Sequence, residues 1–211
     1  EIRTLGAGVQ QLPDANLALI STPPQFAVRE ARAALAANLN TLIFSDNISL
    51  DDERSLKRDA HDRGLLVMGP DCGTAYIASQ PIAFANAIQS GPVGVIAASG
   101  TGLQEFAVLM DAAGVGLSHG IGVGGRDLSD AIGAITTLDA IELLDNDTNT
   151  DQIVLISKPP GPETAPKIIQ RLAAATKPVF ACLLGLEPTA TDTDIPTFTT
   201  LDELAQAVIA H

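Results

Sequence analysis

Tryptophan is absent from this chain, tyrosine occurs once, and phenylalanine six times in 211 residues. A core so poor in rings must be filled by Ala, Val, Ile and Leu, which suits helices laid closely on a parallel sheet. Only two cysteines occur, Cys72 and Cys182. They form no CxxC and lack the spacing of a secreted disulfide scaffold, so they read as reduced thiols in a cytoplasmic protein. No stretch reaches the ~18 apolar residues of a membrane span. No charged segment precedes a short apolar one, so neither a membrane nor a secretory signal is expected. The chain opens on Glu1 rather than Met, as a trimmed or processed piece would. Histidines number three. They are too few and too scattered for Ser-His or Cys-His catalysis or a His-rich metal site, so no metal is expected. Basic residues are scarce: 12 Lys and Arg stand against 25 Asp and Glu, a net charge of -13. Such a molecule repels nucleic-acid phosphates, and no basic stripe offsets that field. The signatures GxxxxGK[ST] and HExxH are missing.

What is present is a strict alternation of short apolar runs and helical patterns. LALIS (17–21), TLIFS (41–45) and LLVMG (65–69) read as strands, and the segments after the first two read as helices. The second of these helices starts at Ser49 with acids in its first turn, a capping signal. A looser stretch with Pro81, Gly91 and Pro92 marks a junction near residue 90. The rhythm then resumes with VGVIAAS, a helix over 103–114, a short strand in HGIGVGG, and a helix from Ser129 as its cap. QIVLIS, a helix, PVFACLLG, TFTT and a last helix close the chain. Alternating strands and helices predict parallel sheets with right-handed crossovers. The fold class is α/β in two parallel-sheet units, residues 1–90 and 91–211.

Ligands of open parallel sheets sit beyond the carboxyl ends of the strands. In the second unit three loops stand there: Ser99-Gly100-Thr101-Gly102, Gly124-Gly125-Arg126-Asp127 and Lys158-Pro159-Pro160-Gly161. They supply hydroxyls, free amides, a guanidinium, an ammonium and a helix N-terminus, which together suit a small anion. The candidate phosphate ligands are therefore Ser99, Gly100, Thr101, Gly102, Gly124, Gly125, Arg126 and Lys158. Each loop also has a plain structural reading. Thr101 with Gln104 fits a capping box, and the glycine pair fits an ordinary turn. His61 reads as solvated, and His119 lies at the edge opposite the proposed site.

GPDCGT, GVIAASGTGLQE, GIGVGGRDL and IVLISKPPG together resemble the α-subunit of succinyl-CoA synthetase. SDNISLDDERSLK and GLLVMGPDCGT bring the chain closer still to FdrA-like predicted acyl-CoA synthetases. The resemblance implies a CoA-binding Rossmann-like unit that lacks its first strand and glycine loop, followed by a flavodoxin-like ligase unit. It places Phe44, Ser45, Asp46, Pro70, Asp71 and Cys72 near CoA and Gln104 near the acyl substrate. It implies CoA and a phosphate or nucleotide as ligands, and self-association or a partner subunit.

The departures bear on the reaction. The region matching the synthetase phosphohistidine loop reads LEPTATDTDIP, without a histidine, and Lys158 stands where a glutamate would partner that histidine. Three functions are compatible with these departures, the second of them implied by the FdrA-like resemblance. One is an acyl-CoA ligase component that holds phosphate without the usual relay. Another is a subunit that transfers a carbamoyl group from oxalurate to phosphate, releasing oxamate. The third is a non-catalytic subunit that binds a phosphate ligand.

Overall fold

The computed structural model describes residues 4–184 and 194–211. A short helix α1 (Leu5–Gln11) precedes strand β1 (Leu17–Ile20), helix α2 (Pro24–Ala36), β2 (Asn40–Ile43), α3 (Leu50–Asp62) and β3 (Val67–Met68). The three strands form one parallel sheet in the order β1-β2-β3. Ala27, Ala31, Ala34 and Leu35 give α2 its buried stripe at helical spacing, and small side chains let it lie close to the sheet. Ser49 caps α3 as its sequence implies, accepting from the Asp52 amide, with Asp51, Asp52 and Glu53 in the first turn.

The second sheet has seven strands. An antiparallel hairpin of β4 (Thr74–Ile77) and β5 (Gln80–Ala83) joins it through β7 (Leu117–Gly122). Residues 74–83 therefore belong to the larger sheet, and the sequence division at residue 90 does not follow the sheets. The other strands are β6 (Ser90–Ala97), β8 (Gln152–Ser157), β9 (Val179–Leu183) and β10 (Thr197–Phe198). Their order is β10-β9-β8-β6-β7-β4-β5, and the five from β6 to β10 are parallel. Read from β6, this is the 2-1-3-4-5 arrangement of a doubly wound sheet, whose switch point lies between β6 and β8. Both strands are buried along most of their length, as their unbroken apolar runs require.

Helices α4 (Gly100–Ala112), α5 (Ile135–Asn146), α6 (Ala165–Ala173) and α7 (Leu201–Ala210) cover the two faces. Phe106, Leu103 and Met110 of α4 pack with Tyr76, Val95 and Phe180 on one side. Ile141 and Leu144 of α5 pack with Ile96, Ile121 and Leu155 on the other.

Two local expectations are corrected. The helix read from Ser129 starts only at Ile135, because Gly133 and Ala134 both take positive φ and break the pattern. Ser129 does not cap it; its hydroxyl donates to the Arg126 carbonyl at 2.7 Å. The stretch after β3 is a hairpin, and its pairing to β7 is a long-range contact that no local pattern signals.

Candidate functional site

Ser99 follows β6 with extended backbone and is the N-cap of α4. Its hydroxyl accepts from the Gly102 amide at 3.1 Å, and its carbonyl takes the Leu103 amide. A helix leaves its first amides without intrahelical partners, so those of Gly100 and Thr101 remain for a ligand. The Thr101 hydroxyl lies 3.3 Å from that of Ser99. The capping box expected of Thr101 and Gln104 does not form. The cap is two residues earlier, and Gln104 Nε2 instead donates to the Phe84 carbonyl at 2.7 Å.

These residues border a cleft of about 420 Å3. Ser99, Gly100, Thr101 and Gln104 line it together with Gly125, Lys158, Asp71 and Thr74. Three loops that are distant in sequence thus meet at the switch point of the sheet. Lys158 is exposed and makes no ion pair among the described residues. Its ammonium and the positive end of α4 both favour an oxyanion in the cleft, while Asp71 supplies one opposing carboxylate.

Arg126 is corrected. It does not line the cleft; its Nη2 pairs with Glu53 at 2.7 Å and donates to the Ile48 carbonyl at 2.9 Å. The reason is a buried charge cluster. Glu53, Lys57 and Asp127 are all at most 1% exposed. Lys57 Nζ reaches Asp127 at 2.7 Å, Glu53 at 3.0 Å and the Val123 carbonyl at 2.8 Å. Asp127 also accepts from the Thr137 amide and hydroxyl at 2.9 and 2.7 Å, capping α5 in place of Ser129. Two buried carboxylates demand two cations, and Arg126 is the second.

Gly102 and Gly124 do not line the cleft either. Gly124 has φ +86, and a Cβ there would stand 2.6 Å from the Pro70 carbonyl, so it serves the close approach of two turns. Gly161 is equally constrained, because a Cβ would collide with Asp130 Oδ1. Asp130 accepts from the Glu163 and Thr164 amides and so fixes the turn that carries Lys158.

The residues that the family resemblance places near CoA gather at the ends of β2 and β3. The Asp71 amide donates to the Ser45 carbonyl and the Cys72 amide to the Ile43 carbonyl, both at 3.1 Å. The Ser45 hydroxyl donates to the Thr22 carbonyl. Phe44 meets Phe84 edge-on with centroids 5.2 Å apart. Asp46 is exposed, and Pro70 packs its carbonyl on Gly124. Of this set Asp71 alone reaches the cleft. Cys72 is 4% exposed, and burial pushes its thiol up to about 11. It is a packed, protonated side chain that donates weakly to the Thr74 carbonyl.

His119 lies away from the cleft, 3.6 Å from Asp147, and burial lowers its pKa. His61 is not merely solvated; its Nδ1 sits 2.8 Å from Asp139, which raises its pKa. Residues 186–193 of the matching phosphohistidine loop lie outside the described residues. Sequence reasoning missed Thr74, Phe84 and Ser157 in the lining. Ser157 ends β8 directly before Lys158 and was findable by the strand-end rule. Thr74 and Phe84 arrive through the unforeseen hairpin.

Fold and site define a class: a two-sheet parallel α/β protein with a polar cleft at the switch point of its larger sheet. No protein-family model matches the chain. It is related in sequence to α subunits of CoA ligases. It is 29% identical over 177 residues to the succinate–CoA ligase [ADP-forming] subunit alpha of Methanothermobacter thermautotrophicus, covering 82% of this chain and 58% of that one. It is 50% identical over 189 residues to the uncharacterized protein YahF of Escherichia coli (strain K12), covering 90% of this chain and 37% of that one. The chain thus spans less than two thirds of the length of either relative. Among solved structures, ATP citrate lyase from Methanothrix soehngenii in complex with citrate and coenzyme A matches 97% of the chain, with TM-score 0.74 and 20% identity. The acetyl-coenzyme A synthetase 1 of Ca. Korarchaeum cryptofilum, in complex with phosphate and ADP, matches 81% with TM-score 0.65 and 20% identity. At these identities the structural likeness concerns the fold alone.

Proposed function

We propose that this chain is a component of an acyl-CoA-ligase-type enzyme that holds a phosphoryl or acyl-phosphate group at the α4 cleft. One observation carries the reading: the Ser99–Thr101 turn, Gly125 and Lys158 line a single cleft at the sheet's switch point. The Gly100 and Thr101 amides are preset toward the place where phosphate charge would lie, and the Lys158 ammonium adds a point charge. Positioning and charge are what phosphoryl chemistry most needs from a protein. The sequence relationship to CoA-ligase α subunits supports the reaction class and a partner subunit. Coenzyme A would approach from the Phe44–Asp46 and Pro70–Cys72 side, where Asp71 enters the cleft. The two domains proposed are the three-stranded unit, for CoA, and the seven-stranded unit, for phosphate.

The experiment is calorimetric titration of the chain with inorganic phosphate, CoA and carbamoyl phosphate, repeated with Lys158→Gln. Phosphate binding is expected to weaken about fivefold to tenfold in the variant, in line with ~1–1.4 kcal/mol for one charge-assisted contact. Unchanged phosphate binding in Lys158→Gln contradicts the site.

A second reading is favoured by the identity of the lining. Among the described residues no histidine borders the cleft, and Lys158 directly follows β8 where the ligase pattern implies a glutamate. Transfer of a carbamoyl group from oxalurate to phosphate needs no phosphohistidine. Carbamoyl phosphate appearing from oxalurate and phosphate, with the partner subunits present, selects this reaction over thioester formation. Binding without turnover in every subunit combination selects a non-catalytic role.

A further inference from the structure

A second cleft, of about 440 Å3, lies between α3, the 130–134 turn and α6, and shares no lining residue with the first. Arg54, Arg58, Lys167 and His61 border it, with Asp130 and Asp139 as its acids. We infer that this groove is a second anion site, for a small phosphate-bearing molecule.

The argument is one of charge left over. Both acids already have hydrogen-bond partners, and neither pairs with an arginine or lysine of the groove among the described residues. Asp130 Oδ1 accepts from the Glu163 and Thr164 amides and the Thr164 hydroxyl at 3.0, 2.9 and 2.9 Å. Asp139 holds His61 at 2.8 Å. The cations are not compensated in the same way. Arg54 Nε donates to the Ala131 carbonyl at 2.6 Å, which pins that guanidinium against the groove and leaves its terminal nitrogens as donors. Arg58 and Lys167 make no ion pair among the described residues.

In a chain with 12 Lys and Arg against 25 acids, a groove bordered by three cations and two carboxylates keeps an excess of positive charge and attracts a counter-anion. Two of them come from α3 and one from α6, so the groove is built by tertiary packing rather than by a local basic run. Helix α5 opens on the same groove at Ile135, and its N-cap Ala134 offers no side-chain oxygen. Asp127 takes the Thr136 and Thr137 amides, leaving the Ile135 amide as a further first-turn donor. Ile132 and Leu138 give the groove an apolar floor. The volume exceeds that of a bare phosphate ion, so the groove fits a phosphorylated organic molecule, with its anionic group at the arginines and its body on that floor.

The test uses pyrophosphate as probe in the Lys158→Gln chain, in which the α4 cleft is weakened and this groove is untouched. One saturable binding event, weakened by added salt, is expected to persist in Lys158→Gln. Adding Arg58→Gln and Lys167→Gln is expected to weaken it fivefold or more. Arg58 and Lys167 are exposed, so the thermal midpoint should hold. Arg58→Ala alone, scored by the same titration, serves as the second variant. No saturable binding in Lys158→Gln, or a loss smaller than fivefold with the arginine and lysine both replaced, overturns the proposal.

Discussion

Lys57 shows how burial changes the meaning of a residue. On α3 it stands four residues after Glu53, a pair that in sequence reads as solvated helix decoration worth a few tenths of a kcal/mol. In the fold both are buried, with Asp127 beside them. Removing one member of a buried ion cluster leaves its partners uncompensated, at roughly 3–5 kcal/mol. Lys57→Met is therefore expected to lower the urea unfolding midpoint sharply. Arg29→Ala, which removes only an ion pair whose arginine is 76% exposed, should move it little. Equal effects of the two substitutions would contradict the buried cluster.

At the scale of the element, α4 does two jobs with one turn. The Ser99 hydroxyl stabilises the helix start by taking the Gly102 amide, and this leaves the two preceding amides to face the cleft. Ser99→Ala should cost about 1 kcal/mol of stability, or roughly 2–4 °C in Tm for a chain of this size. Phosphate binding should fall less than in Lys158→Gln, because the free amides belong to Gly100 and Thr101. Thermal melts and titrations on the two variants check the split. A binding loss in Ser99→Ala larger than in Lys158→Gln would mean that the hydroxyl itself grips the ligand. Helix α5 makes the complementary point: its N-terminus is served by Asp127 from eight residues upstream, not by a neighbouring cap.

For the whole molecule, the shifted groups set a direction for stability against pH. Burial raises Cys72 and Cys182 from 9.0 to about 11, and burial raises Tyr76 above its ordinary 10.0. The folded state thus keeps protons that the unfolded chain releases. Their contribution is complete below about pH 9 and declines as pH rises through 11. The urea midpoint should drop between pH 8 and pH 10.5, and Cys72→Ala should flatten part of that drop. Near neutrality the histidines oppose each other. His61, raised by Asp139, contributes stability below pH 6.5 that is lost as pH rises. His119, lowered by burial, loses stability as pH falls. A midpoint rising from pH 8 to pH 10.5 would contradict the cysteine burial.

The sequence by itself determined the α/β alternation, the parallel runs and the polar strand-end turns, because helix and strand periodicities and strand-end chemistry are local properties. Ser99-Gly100-Thr101, Gly125 and Lys158 were legible as neighbours around one cleft because the rule for open sheets brings successive strand ends together. Tertiary structure alone decided where Arg126 points, since that depends on a buried carboxylate more than seventy residues away in sequence. It alone decided that residues 74–83 join the larger sheet, that Asp127 caps α5, and that Arg54, Arg58 and Lys167 face one groove. Each of these is a pairing across long sequence separation, in which burial decides whether a charge meets water or another side chain.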